Sequence, residues 1–222
     1  MFDRLKNALS ARPAPTSEDE GLISHWATER MLAHVPRKHG GYAIAGQWMD
    51  HQFRAECAPS ARSYIEGFEF KAKSELALTH EVHLILMNRA LKRRFEAQAN
   101  SLYENVTDSL QTTAKQLPEE VQWLSLYRDA GWPGPEDSFW ARYAVLTDAP
   151  EIAQQCLDAR SIELLMDWPA PVNEHTPMLF MLVRGNTYLR LQVDPLRGSE
   201  AALHALDVFE HFSARAVKQL ER

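Results

Sequence analysis

The chain has 222 residues, 45% hydrophobic and 24% charged, a globular composition long enough to bury roughly 70% of the surface that an unfolded chain exposes. Its formal net charge of −6 speaks against a general nucleic-acid binder, whose affinity comes mainly from Lys and Arg neutralising phosphates. No run approaches the ~20 apolar residues of a transmembrane helix; Cys57 and Cys156 form no CxxC pair and follow no secretory signal, so free thiols in a reducing cytoplasmic setting are expected.

Residues 1–16 read as an N-terminal amphipathic segment and linker. Phe2, Leu5 and Leu9 share a helical face over residues 2–10, and Pro13 and Pro15 bar its continuation. Ser17 and Glu20 have capping-box spacing and predict a helix over 18–34, with Leu22, Ile23, Trp26 and Ala33 inward. The period then changes from 3.6 to 2. Tyr42–Met49 and His51–Cys57 read as a hairpin with Asp50 and His51 at its turn. In the next strand Tyr64, Phe68, Phe70 and Ala72 face one way, and Glu69, Lys71, Lys73 and Glu75 the other, which describes an antiparallel sheet with one wet face. Val82–Met87 is uniformly apolar and reads as a central strand.

Asn88 is placed to cap a helix over 89–103 with Leu91, Phe95, Ala99 and Leu102 inward. Val106–Thr113, Val121–Tyr127 and Phe139–Leu146 read as strands; Ala149–Leu157 and Ser161–Trp168 as short helices. Met178–Val183 and Thr187–Val193 make a hairpin turning at Gly185–Asn186, and Ser199–Leu220 is a long closing helix. Strands cluster rather than alternate with helices, so the expected class is α+β: antiparallel or mixed sheets of several strands packed with helices, the long C-terminal helix among them. Residues 17–222 are expected to form one domain, with the Gly/Pro-rich stretch 131–137 the place for a subdomain break.

No catalytic residue and no metal or cofactor site is expected. GxGxxG, GxxxxGK[ST] and GxSxG are absent. In His80-Glu81-Val82-His83 the histidines are three apart, so on a strand they oppose each other. His204 and His211 share a helix face two turns apart and read as solvated. Three features could bind something. The helix after Asn88 opens with Arg89, Lys92 and Arg93, against the helix dipole; an anion would relieve them, as would a salt-bridged face. Trp123, Tyr127, Trp132, Trp140 and Tyr143 cluster around the Gly/Pro loop, where they could line a pocket or pack two halves together, and Arg190 near the closing hairpin could orient an anion. Leu206, Phe209, Ala216 and Leu220 lie on one stripe of a last helix whose apolar surface exceeds a single sheet-facing face, which suggests a homodimer through that helix.

The segment Tyr64-Ile65-Glu66-Gly67-Phe68-Glu69, the stretch Tyr143-Ala144-Val145-Leu146-Thr147-Asp148 leading into a helix, and the hairpin Gly185-Asn186-Thr187-Tyr188-Leu189-Arg190 resemble uncharacterised bacterial proteins classed as domains of unknown function. The resemblance covers residues 40–193 and implies a bacterial, cytoplasmic setting, with no activity or site residue carried over. Together these features point to a non-enzymatic binding or protein-interaction module; the competing expectation is an enzyme or binder of a small anionic ligand. A nucleic-acid partner is not expected, and peripheral membrane contact through Phe2, Leu5 and Leu9 is the weakest reading.

Overall fold

The computed structural model describes residues 17–106 and 119–220. The expected helix over residues 2–10 and the expected strand beyond Val106 lie outside them.

The first helix, α1 (Ser17–Glu29), stops earlier than its pattern suggests. The Leu32 amide donates to the Ala27 carbonyl (2.9 Å) and the Met31 amide to Thr28 (3.0 Å), with Met31 in the left-handed region at φ 55°. These two bonds satisfy the orphan carbonyls of the last turn and close the helix. The chain then enters β1 (Ala33–Pro36), so Ala33 and His34 pair in a sheet instead of extending the helix, and Leu22, expected inward, is 45% exposed.

The strands β2 (Tyr42–Trp48) and β3 (His51–Pro59) follow the expected hairpin. Its two-residue turn is Met49–Asp50, one residue before the expected position, and both residues have positive φ. Such turns match the right-handed twist of the flanking strands. The next strands are β4 (Phe68–Glu75) and β5 (Leu84–Asn88). Within β4, Phe68, Phe70 and Ala72 are buried on one face as expected. Tyr64, expected to share that face, precedes the strand and packs in a different core, edge-on to Phe95.

One expected strand is a helix, and the first half of another is helical. Glu119–Leu126 forms α3, because Glu120, Trp123, Leu124 and Tyr127 share a helical face and the Tyr127 amide reaches the Trp123 carbonyl at 2.9 Å. It follows α2 (Arg89–Val106), and the short β6 (Arg128–Ala130) comes next. Residues Asp137–Arg142 form α4, and only Tyr143–Thr147 is extended, as β7. The chain continues through α5 (Pro150–Cys156), α6 (Ala159–Met166), the hairpin β8 (Met178–Val183) and β9 (Asn186–Val193), and ends in α7 (Ser199–Leu220). The β8–β9 turn is Arg184–Gly185, one residue earlier than expected, again with both φ positive.

Among the described residues nine strands form one antiparallel sheet in the order β1-β2-β3-β4-β9-β8-β5-β7-β6, so the fold is α+β. One face is buried along most of its width by Phe53, Phe70, Leu86, Val145, Phe180 and Leu191, against α1 and α4–α7. The opposite face is buried only where Ile85, Met87, Ala144, Leu146, Leu179 and Met181 meet Leu91, Phe95 and Trp123 from α2 and α3. Over β2, β3, β4 and β9 that second face carries charged and small side chains.

The apolar surplus of α7 is met within the chain. The helix lies on β4 and β9 and is flanked by α1, α5 and α6. Arg30 clamps Glu210 with two hydrogen bonds (2.9 and 3.2 Å) while stacking on Trp26. His204 and His211, expected to be solvated, instead tie α7 to α6: His204 Nε2 lies 2.7 Å from the Leu164 carbonyl and His211 Nε2 2.9 Å from Asp158. Asp158 also caps α6 by accepting from the Ser161 amide, so one carboxylate serves both helices.

Candidate binding surface

The structure distributes the sequence-predicted residues over both sides of the sheet. Arg89 and Lys92, at the start of α2, converge on Asp129 of β6 (3.0 and 3.5 Å), and Lys92 also pairs with Glu96 at 2.8 Å; Arg93 is exposed. The Arg89 Nε–H also donates to the Trp140 carbonyl. Asn88 spends its side chain elsewhere than on the cap. Its amide donates to the carbonyls of Glu174 (2.7 Å) and Thr176 (3.0 Å) and its oxygen accepts from the Met178 amide, pinning the loop that enters β8.

Trp123 is buried beneath α3, whereas Trp140 and Tyr143 belong to the core on the other side of the sheet. Trp140 meets Trp132 edge-on at 5.0 Å, and the Tyr143 hydroxyl donates to the Leu165 carbonyl (2.5 Å) and accepts from Trp168 Nε1 (3.0 Å). Burial pushes the Tyr143 hydroxyl up to about 12. Leu206, Phe209, Ala216 and Leu220 are all buried in the chain's own core, and on α7 only Glu200, Asp207 and Lys218 are fully exposed. Cys57 and Cys156 are free and buried, and burial pushes both thiols up to about 12. Among the described residues no cluster of three His, Cys, Asp or Glu is poised for a metal. His80 of the HEVH sequence reaches the Leu220 carbonyl instead.

A cleft of about 320 Å³ opens between α3 and the β8–β9 hairpin. On its wall Glu120, only 4% exposed, accepts from Arg62 at 2.6 Å and lies 3.4 Å from the Tyr64 hydroxyl. Burial, and secondarily the Glu120 charge, push that hydroxyl above its ordinary range. At the other end His83 Nδ1 meets Asp148 at 2.8 Å, and its ring stacks on Tyr127 at 5.3 Å. Glu119, Arg184, Tyr188 and Arg190 are also among its lining residues. Sequence reading missed Arg62 and Glu120, because Glu120 stands just before the expected strand Val121–Tyr127, where an acid looks like ordinary loop polarity. The acidic pair Glu119–Glu120 opening a helix was the available signal.

Tyr188 and Arg190 also line a shallow trough of about 530 Å³ over the bare half of the sheet. Its floor includes Ala43, Ala45 and Ala55, and its charges come from neighbouring strands. Glu56 is shared between Arg37 (2.8 Å) and Lys71 (2.5 Å), and Glu75 between Lys73 (2.8 Å) and Arg54 (3.3 Å). The Lys71 hydrogen bond, with the Lys71 and Arg37 charges, holds the Glu56 carboxyl below its usual range. Arg190 donates to buried Glu69 at 2.6 Å, and Ser60 donates to the same carboxylate at 3.2 Å. Five cations therefore answer three carboxylates on one face of an acidic chain.

No protein-family model and no curated protein matches the sequence. Among solved structures the chain is similar to the crystal structure of the mycobacterial trehalose monomycolate transport factor A, with a TM-score of 0.47 and 10% identity over 90% of this chain and 95% of that one. A likeness of that degree carries nothing about activity. No described helix is long and apolar enough to cross a membrane.

Proposed function

We propose that the chain is a non-enzymatic cytoplasmic binding module whose working surface is the bare face of β2, β3, β4 and β9. One observation carries the reading: the two halves of a single sheet face are treated differently. Helices α2 and α3 bury one half, and the other half is left as a trough with surplus positive charge. Antiparallel sheets tolerate one wet face, but a solvated face needs no such imbalance in a chain of net charge −6. The test compares Ala45→Trp, which plugs the trough, with Lys218→Trp on the exposed side of α7. Cross-linked partners of the native chain should be lost with the first variant and kept with the second. Loss with both, or with neither, rules this face out.

A second reading places a small anionic ligand in the α3 cleft, where Arg62, Arg184 and Arg190 lie around a volume at the lower end of the ligand-site range. Arg89, Lys92 and Arg93 form a further candidate, in which an incoming anion would compete with Asp129. A thermal-shift screen against nucleotides, phosphorylated metabolites and acyl ligands separates these readings from the first, since a ligand at 100 times its Kd stabilises by about 2.7 kcal/mol. A homodimer through α7 would have to form without its buried apolar stripe, and light scattering at high concentration tests it.

A further inference from the structure

The register of the bare face places like charges directly opposite one another. Arg54 of β3 faces Lys73 of β4, and Lys71 of β4 faces Arg190 of β9. Side chains so placed have Cβ atoms about 4.5–5.5 Å apart, and like charges there destabilise a sheet. The two pairs occupy successive rows, since Lys71 and Lys73 are two apart on β4 and point to the same side. Glu75 serves both members of the first pair, Glu69 takes Arg190, and Glu56, which faces Lys71 across the register, serves Lys71 and also Arg37, so three carboxylates are divided among five cations. One cation of each row is open to solvent, Arg54 at 68% and Lys71 at 45%, while Lys73 is 28% exposed and Arg190, held by Glu69, 19%. A fold keeps such local conflicts chiefly where something else resolves them.

We infer that this trough takes an acidic polypeptide segment in extended conformation, with carboxylates at alternate residues meeting the Arg54/Lys73 and Lys71/Arg190 rows. The inference rests on reading the bare face as the working surface. Alternate residues of an extended chain recur about every 6.6–6.8 Å, which is the spacing of Lys71 and Lys73 along their own strand. The small side chains of Ala43 and Ala45 leave room for a backbone beside the charged rows. The interspersed Glu56 and Glu75 disfavour a polyphosphate backbone, whose negative charges are too closely spaced to avoid them, and suit a chain with neutral residues between its acids.

The experiment uses the full chain, isotopically labelled, and three capped peptides alternating Ser with Glu, Gln or Lys. The Glu peptide should shift amides of β3, β4 and β9, weaken with added salt, and bind at least tenfold less tightly to Arg54→Gln/Lys71→Gln. The melting temperature of that variant should fall no further than that of Glu56→Gln, because the like-charge neighbours it relieves offset the ion pairs it loses, and binding is compared where both chains are folded; a larger fall would assign the two cations to the fold and overturn the inference. Equal binding of the Gln peptide on these strands would overturn the acidic inference and leave the face itself standing. Glutarate binding as tightly as the peptide would assign the rows to small anions and overturn it as well. Shifts confined to α7 or to α2, or no shift with any peptide, would overturn both the inference and the reading beneath it.

Discussion

The pair Arg190–Glu69 offers a test of how the bare face is anchored to the interior. The Glu69 side chain is 5% exposed and the Arg190 side chain 19%, with 2.6 Å between their charged atoms. Removing one partner of a buried ion pair typically costs about 3–5 kcal/mol, because the survivor is left charged without compensation. The two removals are not equivalent here. In Arg190→Met the Glu69 carboxylate keeps only the Ser60 hydroxyl at 3.2 Å, so the loss should fall in the full range of about 3–5 kcal/mol. In Glu69→Leu the guanidinium can swing its head toward the trough on its aliphatic stem, and the cost should be about 1–2 kcal/mol. The double variant should lie well below the sum of the two, with a coupling of about 2 kcal/mol or more. Urea denaturation followed by tryptophan fluorescence measures all three. In a chain of this size each kcal/mol lowers Tm by about 2–4 °C, so Arg190→Met should melt roughly 6–20 °C lower. A larger loss from Glu69→Leu than from Arg190→Met, or additive losses, would refute the burial argument.

Three further outcomes follow from the packing. Asn88→Ala removes three hydrogen bonds that hold the entry to β8, leaving the buried Met178 amide without its side-chain acceptor and two part-buried carbonyls to water, so urea titration should show a loss of about 1–3 kcal/mol. Cys57 and Cys156, buried and raised to about 12, should both resist a thiol reagent at pH 8 in the native chain and react together on unfolding; rapid native labelling of either would contradict their placement. The Glu56 carboxyl is lowered on folding by Lys71, then Arg37, so the stability it adds is present above the ordinary carboxylate range and lost as pH falls through its lowered value. Glu56→Gln should therefore flatten the acid limb of a Tm-against-pH curve and leave its alkaline limb unchanged.

The local half of the fold was legible because local geometry has short periods. The alternation in β3 and from Phe68 in β4, the apolar run of β5, the β8–β9 hairpin and the stripe of α7 each need only neighbouring residues, and each is present, the hairpin turn one residue earlier than its pattern places it. The errors arose where a pattern fits two periods. Val121-Trp123-Ser125-Tyr127 alternates, yet the 3.6-residue face Glu120-Trp123-Leu124-Tyr127 is the one that packs. At Ala33 and His34 the periodicity outran a helix that two backbone bonds had already closed, and Leu22, within that helix, falls on its exposed side.

By itself the sequence determined an acidic α+β chain with a wet sheet face, a long apolar helix and two buried thiols, since hydrophobic period and charge count are properties of short windows. Only the tertiary structure decided that α1, α5 and α6 cover the surplus of α7, that Trp123 and Trp140 lie on opposite sides of one sheet, and that Arg54 faces Lys73 while Lys71 faces Arg190. Those facts depend on strand order and register, which arise from contacts between segments far apart in the chain, and no window of the sequence contains both partners of such a contact.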